Sequence, residues 1–259
     1  MKKSTLSIYL LIAFSLFGSM LLKSTVFAAK PGYSINNYRA ITIPIIDGNW
    51  TTADEWTDAE ERELDGSLTV YFRLKYKLIS GTSFQFILID FLNDTTDDSG
   101  DGWMICIDAH HDGGSSPQLD DYRISVSGHG ISGLHVYNGT GSGWVETTDY
   151  NWGTDLVIVN NINPSPHLST PHWICEFQIN ATWLDLLNDY TIRVAASDAS
   201  GGGNQVWPDS TSSRPDDWGQ TITKFEEIPE FSSLLIPLLP VSATLLIALA
   251  YKKKQFLRA

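Results

Sequence analysis

Asp97-Asp98-Ser99-Gly100-Asp101-Gly102 runs directly into Trp103-Met104-Ile105-Cys106-Ile107-Asp108. The first half is an acidic loop; the second reads as a buried β-strand. The surrounding stretch adds Asp90, Asp94, Asp112, Asp120 and Asp121, with no Lys or Arg among them. Carboxylates this close repel one another, and a hard cation is the usual relief, because Ca²⁺ takes oxygen ligands. Asp97, Ser99 and Asp101 alternate, Gly102 follows, and Asp108 occupies the twelfth position counted from Asp97. That is the opening of a calcium loop with a closing carboxylate. It predicts Ca²⁺ held by Asp97, Ser99, Asp101 and Asp108, with Asp90, Asp120 or Asp121 completing the shell. The plainer alternative is a solvated acidic loop between two strands.

Working outward, both ends of the chain are apolar. Residues 1–28 carry an early Lys pair, an apolar run and small residues before Ala29, which reads as a secretory signal peptide. Residues 231–251 form an apolar span long enough for a transmembrane helix. Residues 252–259 are a basic tail, which places the C-terminus in the cytoplasm and the body outside. Of 17 Lys and Arg, three lie in the signal and four after the span, so 10 face all 30 acids in the body. A body of net charge −20 excludes nucleic acid as a partner. Two cysteines, Cys106 and Cys175, read either as a disulfide or as two buried thiols.

Between the ends the pattern is all-β. Leu68 to Ile79 alternates apolar and polar, and Phe84 to Phe91 is more continuously apolar, as in a central strand. Further strands are expected over Arg39–Ile46, Tyr122–Ser127, Gly133–Tyr137, Asp155–Asn160, His172–Ile179 and Tyr190–Ala196. A short helix is expected over Ala181–Leu187, capped by Asn180. The acidic run Glu60 to Asp65, with Asp58 beside it, reads as a solvated edge. Met104 reads as core packing. Asn49, Asn93, Asn138 and Asn180 each open an N-x-Thr sequon, a glycosylation signal in an exported chain.

Ile45-Ile46-Asp47-Gly48 with Glu55-Trp56, the acidic loop entering Trp103 to Asp108, Asp120-Asp121-Tyr122-Arg123, Trp173 to Ile179, and Trp207-Pro208 with Trp218-Gly219 resemble, in that order, the family 9 carbohydrate-binding modules and their DOMON-like relatives. The resemblance implies a two-sheet antiparallel β-sandwich over residues 29–224, structural calcium and a sugar cleft walled by aromatic rings. Pro229-Glu230-Phe231, within or beside the 225–230 linker, resembles archaeal sorting signals of the PEF type. That implies removal of the span by a membrane transpeptidase; the alternative is a plain membrane anchor.

The function expected is non-catalytic binding of a carbohydrate or cell-surface glycan. Trp207 and Trp218 are expected either to plug the sandwich end or to offer a stacking face, with Asp209, Arg214 and Asp216 bonding hydroxyls. Alternatives are a surface-layer or adhesion protein without a small ligand, a haem-binding DOMON-like domain using Met104, and a glycoside hydrolase. Nothing in the sequence selects a catalytic carboxylate pair.

Overall fold

The computed structural model describes residues 29–209 and 212–225. The signal segment, Pro229-Glu230-Phe231, the span 231–251 and the basic tail lie outside the described residues. Among the described residues no helix is long and apolar enough to cross a membrane. The described residues form thirteen strands: β1 (Ser34–Arg39), β2 (Glu60–Glu63), β3 (Val70–Ile79), β4 (Thr82–Phe91), β5 (Gly102–Asp108), β6 (Asp121–Ser127), β7 (Leu134–Gly139), β8 (Trp144–Thr147), β9 (Leu156–Asn163), β10 (His172–Asn180), β11 (Thr191–Asp198), β12 (Gly203–Trp207) and β13 (Gly219–Lys224).

The all-β class stands, but the strands do not divide into two separate sheets. They follow one path, β8-β7-β6-β5-β11-β13-β1-β3-β4-β10-β9, with β12 added beside β11 and β2 beside β3. The joint is β1. Ser34 to Tyr38 pair in parallel with β13, while Tyr38 and Arg39 pair in parallel with β3. One short strand thus belongs to both wings, and the sheet is mixed rather than antiparallel throughout.

The sheet curls so that one face of each wing shares a core. Phe72, Leu74, Ile87, Ile89 and Phe177 come from one wing; Ile105, Ile107, Ile124 and Val194 come from the other. Strand alternation explains the choice, since Val70, Phe72 and Leu74 of β3, Ile87, Ile89 and Phe91 of β4, Trp103, Ile105 and Ile107 of β5, and Ile124 and Val126 of β6 are alternate residues that point the same way. Cys175 belongs to this core and Cys106 does not; both thiols are buried and unbridged. Burial pushes the Cys106 thiol up to about 11 and the Cys175 thiol well above its ordinary value.

The outer face of β3, β4 and β10 is not solvated. Trp56 and Ala59, from the connection between β1 and β2, pack on Phe86, Leu88 and Ile174 in a second core. Under this strap Glu176 accepts the backbone N–H of Asp47 and of Gly48, each at 2.9 Å, and the Trp56 indole N–H at 2.9 Å. Burial raises the Glu176 pKa to about 7 although these donors pull it down. Lys75 is also buried, and its ammonium donates to Asp58 Oδ1 at 2.7 Å and to the Thr42 carbonyl at 2.8 Å. Asp58 therefore holds a buried ion pair rather than a solvated edge.

Other local expectations are corrected. Arg39–Ile46 is not a strand, because the strand ends at Arg39 and the strap begins. Glu60–Glu63 is an edge strand paired with β3. Residues 181–187 form turns, not a helix, and Asp185 sits at φ 50.

Candidate functional site

Strand β5 carries acid at both ends. Asp101 precedes its first residue and Asp108 is its last. Seven steps of extended chain separate them by roughly 23 Å. One ion cannot reach both, so the calcium loop closing on Asp108 is not formed. The loop pattern requires the chain to fold back after the glycine, and a β-strand carries it away instead. Asp97 and Ser99 are exposed, whereas Asp101 is buried.

At the Asp108 end, register places Asp108 directly opposite Asp121 of β6. Both are fully buried. Opposed like charges destabilise a strand pair, and burial worsens this. The connecting loop folds over them. Gly113 at φ 68 makes the turn, where a side chain would be strained, and donates its N–H to Asp108 Oδ2 at 2.9 Å. Thr191 Oγ1 donates to the same oxygen at 3.2 Å. Asp216 ties the loop down, accepting the Gly114 N–H at 2.9 Å. Asp121 Oδ2 accepts the Gln118 N–H at 2.6 Å, while its Oδ1 is buried with no hydrogen-bond partner.

This donor set fits a hard cation. Oxygens of Asp108, Asp112 and Asp120 lie within 4.8 Å of one another, and Asp121, opposite Asp108 in the register, has one buried oxygen without a hydrogen-bond partner. Without a cation the group must hold protons. Burial, then repulsion from Asp108, Asp120 and Asp112, outweighs the Gln118 N–H and lifts the Asp121 pKa to about 8. Burial raises Asp108 and Asp112 as well.

At the Asp101 end the relief is different. His129 lies in the turn after β6, and its Nε2 is 2.8 Å from Asp101 Oδ2 and 3.3 Å from Asp94 Oδ2. All three side chains are buried. The His129 ring stacks on Trp173 with centroids 3.5 Å apart and planes 3° apart. Carboxylate oxygens of Asp98 and Asp198 also lie within 4.8 Å of one another and of Asp101. Burial pulls the His129 pKa down, but the Asp94 and Asp101 carboxylates outweigh it and raise it.

Asp90 joins neither end. It lies on the outer face of β4, where His172 Nε2 meets its Oδ1 at 2.6 Å and His167 Nδ1 its Oδ2 at 2.9 Å. Burial opposes ionisation, yet these histidines hold the Asp90 pKa below its ordinary value.

The stacking-face placement of the tryptophans does not survive. Trp207 is 4 % exposed and Trp218 0 %. Trp207 is part of β12 and packs on Phe72 at 5.1 Å. Trp218 stacks on Trp144 at 6.4 Å. Asp209 pairs with Lys30, and Arg214 with Asp216 and Asp217, so these groups do not converge on one ligand face. Among the sequons, Asn93 is exposed, while Asn49, Asn138 and Asn180 are partly covered.

Among the described residues the outer face of β5 and β11 offers a concave site. A half-open groove of about 300 Å³ lies there, lined in part by Ser99, Met104, Ser127, Arg193, Ser197 and Asn204. Met104 is therefore not core; its Sδ lies 3.9 Å from Arg193 Nη1.

Sequence reasoning missed His129 and Asp198 altogether. Gly128-His129-Gly130 looks like turn filler, and Asp198 follows a strand with no acidic neighbour. Asp94, Asp98 and Asp112 were visible as part of the acidic stretch, but the loop pattern drew attention to Asp97 and Ser99 instead. No known protein family matches the chain, and no curated protein or solved structure matches it.

Proposed function

We propose that the body is a non-catalytic carbohydrate-binding module, displayed outside the cell and supported by calcium. The observation that carries this is the groove on β5 and β11. Its size falls at the lower end of small-molecule sites, enough for a short piece of glycan. Asn204, Ser127, Ser197 and Arg193 supply donors and acceptors for hydroxyls, and Met104 and Ala195 supply apolar surface for the C–H faces of a sugar. The secretory reading of residues 1–28 and the acidic body suit an exported protein.

Calcium at Asp108, Asp112, Asp120 and Asp121 is a scaffold in this reading. It would neutralise the buried carboxylates and fix the loop that Asp216 already anchors. The residues themselves do the positioning: Gly113 and Thr191 aim Asp108, and Gln118 aims Asp121.

A glycan array with the full-length chain, followed by Asn204→Ala and Ser197→Ala on any polysaccharide retained, tests the assignment. Loss of retention with an unchanged melting temperature is expected. Unchanged retention in both variants, or no retention by the parent, overturns it.

A further inference from the structure

We infer that Asp94, Asp101 and His129 form a second metal site, distinct from the Asp108 end, that takes a zinc-class divalent ion rather than calcium. This cluster is not merely acidic. It presents one imidazole nitrogen and two carboxylate oxygens within 4.8 Å of one another, all on buried residues. Imidazole suits zinc and its neighbours, whereas calcium prefers an all-oxygen shell.

The geometry is close to that of an occupied site. Ligands about 2.0 Å from a tetrahedral ion lie roughly 3.3 Å from one another. Nε2 is 2.8 Å from Asp101 Oδ2 and 3.3 Å from Asp94 Oδ2. Asp94 Oδ2 is buried and forms no hydrogen bond, yet it points at the same nitrogen. Asp101 Oδ2 also accepts the Asp98 N–H at 2.8 Å, so the oxygen left without a donor is Asp94 Oδ2; a divalent ion between neutral imidazole and the two carboxylates would engage it and leave the group uncharged.

The ligands are also held before any ion arrives. Trp173 stacks on the imidazole and fixes its plane. The Trp173 N–H donates to the Asp94 carbonyl at 3.0 Å, and its indole N–H donates to the Thr96 carbonyl. Gly128 N–H donates to the Asp101 carbonyl at 2.6 Å, tying the histidine turn to the aspartate loop. Asp101 Oδ1 is fixed by the Ala199 N–H at 2.8 Å. Positioning partners of this kind stabilise metal sites.

The test is calorimetric titration of Zn²⁺ into the untagged, chelator-treated full-length chain, with Ca²⁺ in excess. One equivalent should bind, Ca²⁺ should not displace it, and His129→Asn should weaken it by more than ~100-fold, beyond the loss expected for an outer-shell change. Co²⁺ in its place should give the visible absorption of a tetrahedral site. If His129→Asn does not fold, the parent still decides: Zn²⁺ must shift the His129 imidazole resonances, identifiable by their contact with Trp173. No zinc bound by the folded parent, parental affinity in His129→Asn, displacement by Ca²⁺, or an unshifted His129 ring overturns the site.

Discussion

The two ends of β5 solve one problem in two ways. Each gathers buried aspartates around a strand terminus. At the Asp101 end, His129 stands between two carboxylates with a tryptophan holding its ring. At the Asp108 end, Asp108 faces Asp121, the exposed His110 imidazole is shared between Asp120, at 3.3 Å, and Asp185, at 3.2 Å, and burial holds the His111 pKa below its ordinary value. The first cluster carries its own cation when the imidazole is protonated. The second must borrow a proton or a metal ion. Carboxylate count therefore does not decide which end depends on solution conditions; the presence of an internal base does.

Removing the internal base should have the largest effect. His129→Ala leaves Asp94 and Asp101 buried without a counter-charge, at a cost of about 3–5 kcal/mol by urea unfolding. Asp121→Asn, which replaces a carboxyl that holds its proton in the calcium-free protein with a neutral amide, should cost far less in the absence of calcium. Equal losses would erase the distinction between the ends.

Calcium comes next. At a hundredfold excess over its dissociation constant it should stabilise the parent by about 2.7 kcal/mol, and Asp121→Asn should lose most of that gain. Differential scanning calorimetry with and without chelator measures both. The same gain in Asp121→Asn would move the calcium site elsewhere.

Acidity sharpens the contrast further. The folded Asp121 pKa is about 8, above the ordinary aspartate value. Below the unfolded pKa, near 4, folded and unfolded chains are both protonated and the stabilisation is fully present. As pH rises toward 8 the unfolded chain has lost its proton while the native one keeps it. Calcium-free stability should thus fall by about 1.4 kcal/mol per pH unit for each retained proton. The raised His129 pKa has the same sign, but its loss begins only above its ordinary value of 6.5. Glu176, with a folded pKa of about 7, and the raised Asp108 and Asp112 add slopes of the same sign between pH 4.5 and 6, so over that range Asp121→Asn should reduce the slope of the urea midpoints rather than abolish it. Because Asp90 is held low by His172 and His167, its contribution is lost in the opposite direction, as pH falls.

Much of the fold was legible because alternation reports which strand face meets a core. Val70, Phe72 and Leu74 were expected inside and are. Lys75, expected outside, is buried, since the strap that covers it comes from residues 42–58 and local pattern cannot announce a distant cover. Strand β12 is not visible in the sequence, because its opening, Gly203-Asn204-Gln205, has no apolar alternation; pairing with β11 makes it a strand. The single continuous sheet was hidden for a similar reason. It depends on β1 changing partner at Tyr38, which is a fact of packing. At the site, the concentration of aspartates was plain, but their grouping was not. His129 reaches Asp101 across 28 residues, and no spacing rule covers that pairing.

The smallest predicted effect discriminates most sharply between reading by motif and reading by fold. Asp97 opens the calcium-loop pattern, and on that reading it is a primary ligand. In the folded chain it is exposed and belongs to neither cluster. Asp98, its neighbour, instead donates its backbone N–H to Asp101 Oδ2 at 2.8 Å and so takes part in the Asp101 end. Asp97→Ala should therefore change stability by no more than about 0.5 kcal/mol, as for other exposed positions. It should also leave the calcium-dependent rise in melting temperature at its parental size. A ligand for calcium cannot be removed without shrinking that rise, because the rise measures binding to the native state alone. If Asp97→Ala abolishes it, calcium binds at the start of β5 in a loop conformation different from the one described, and the assignment of the Asp108 end as the calcium scaffold fails.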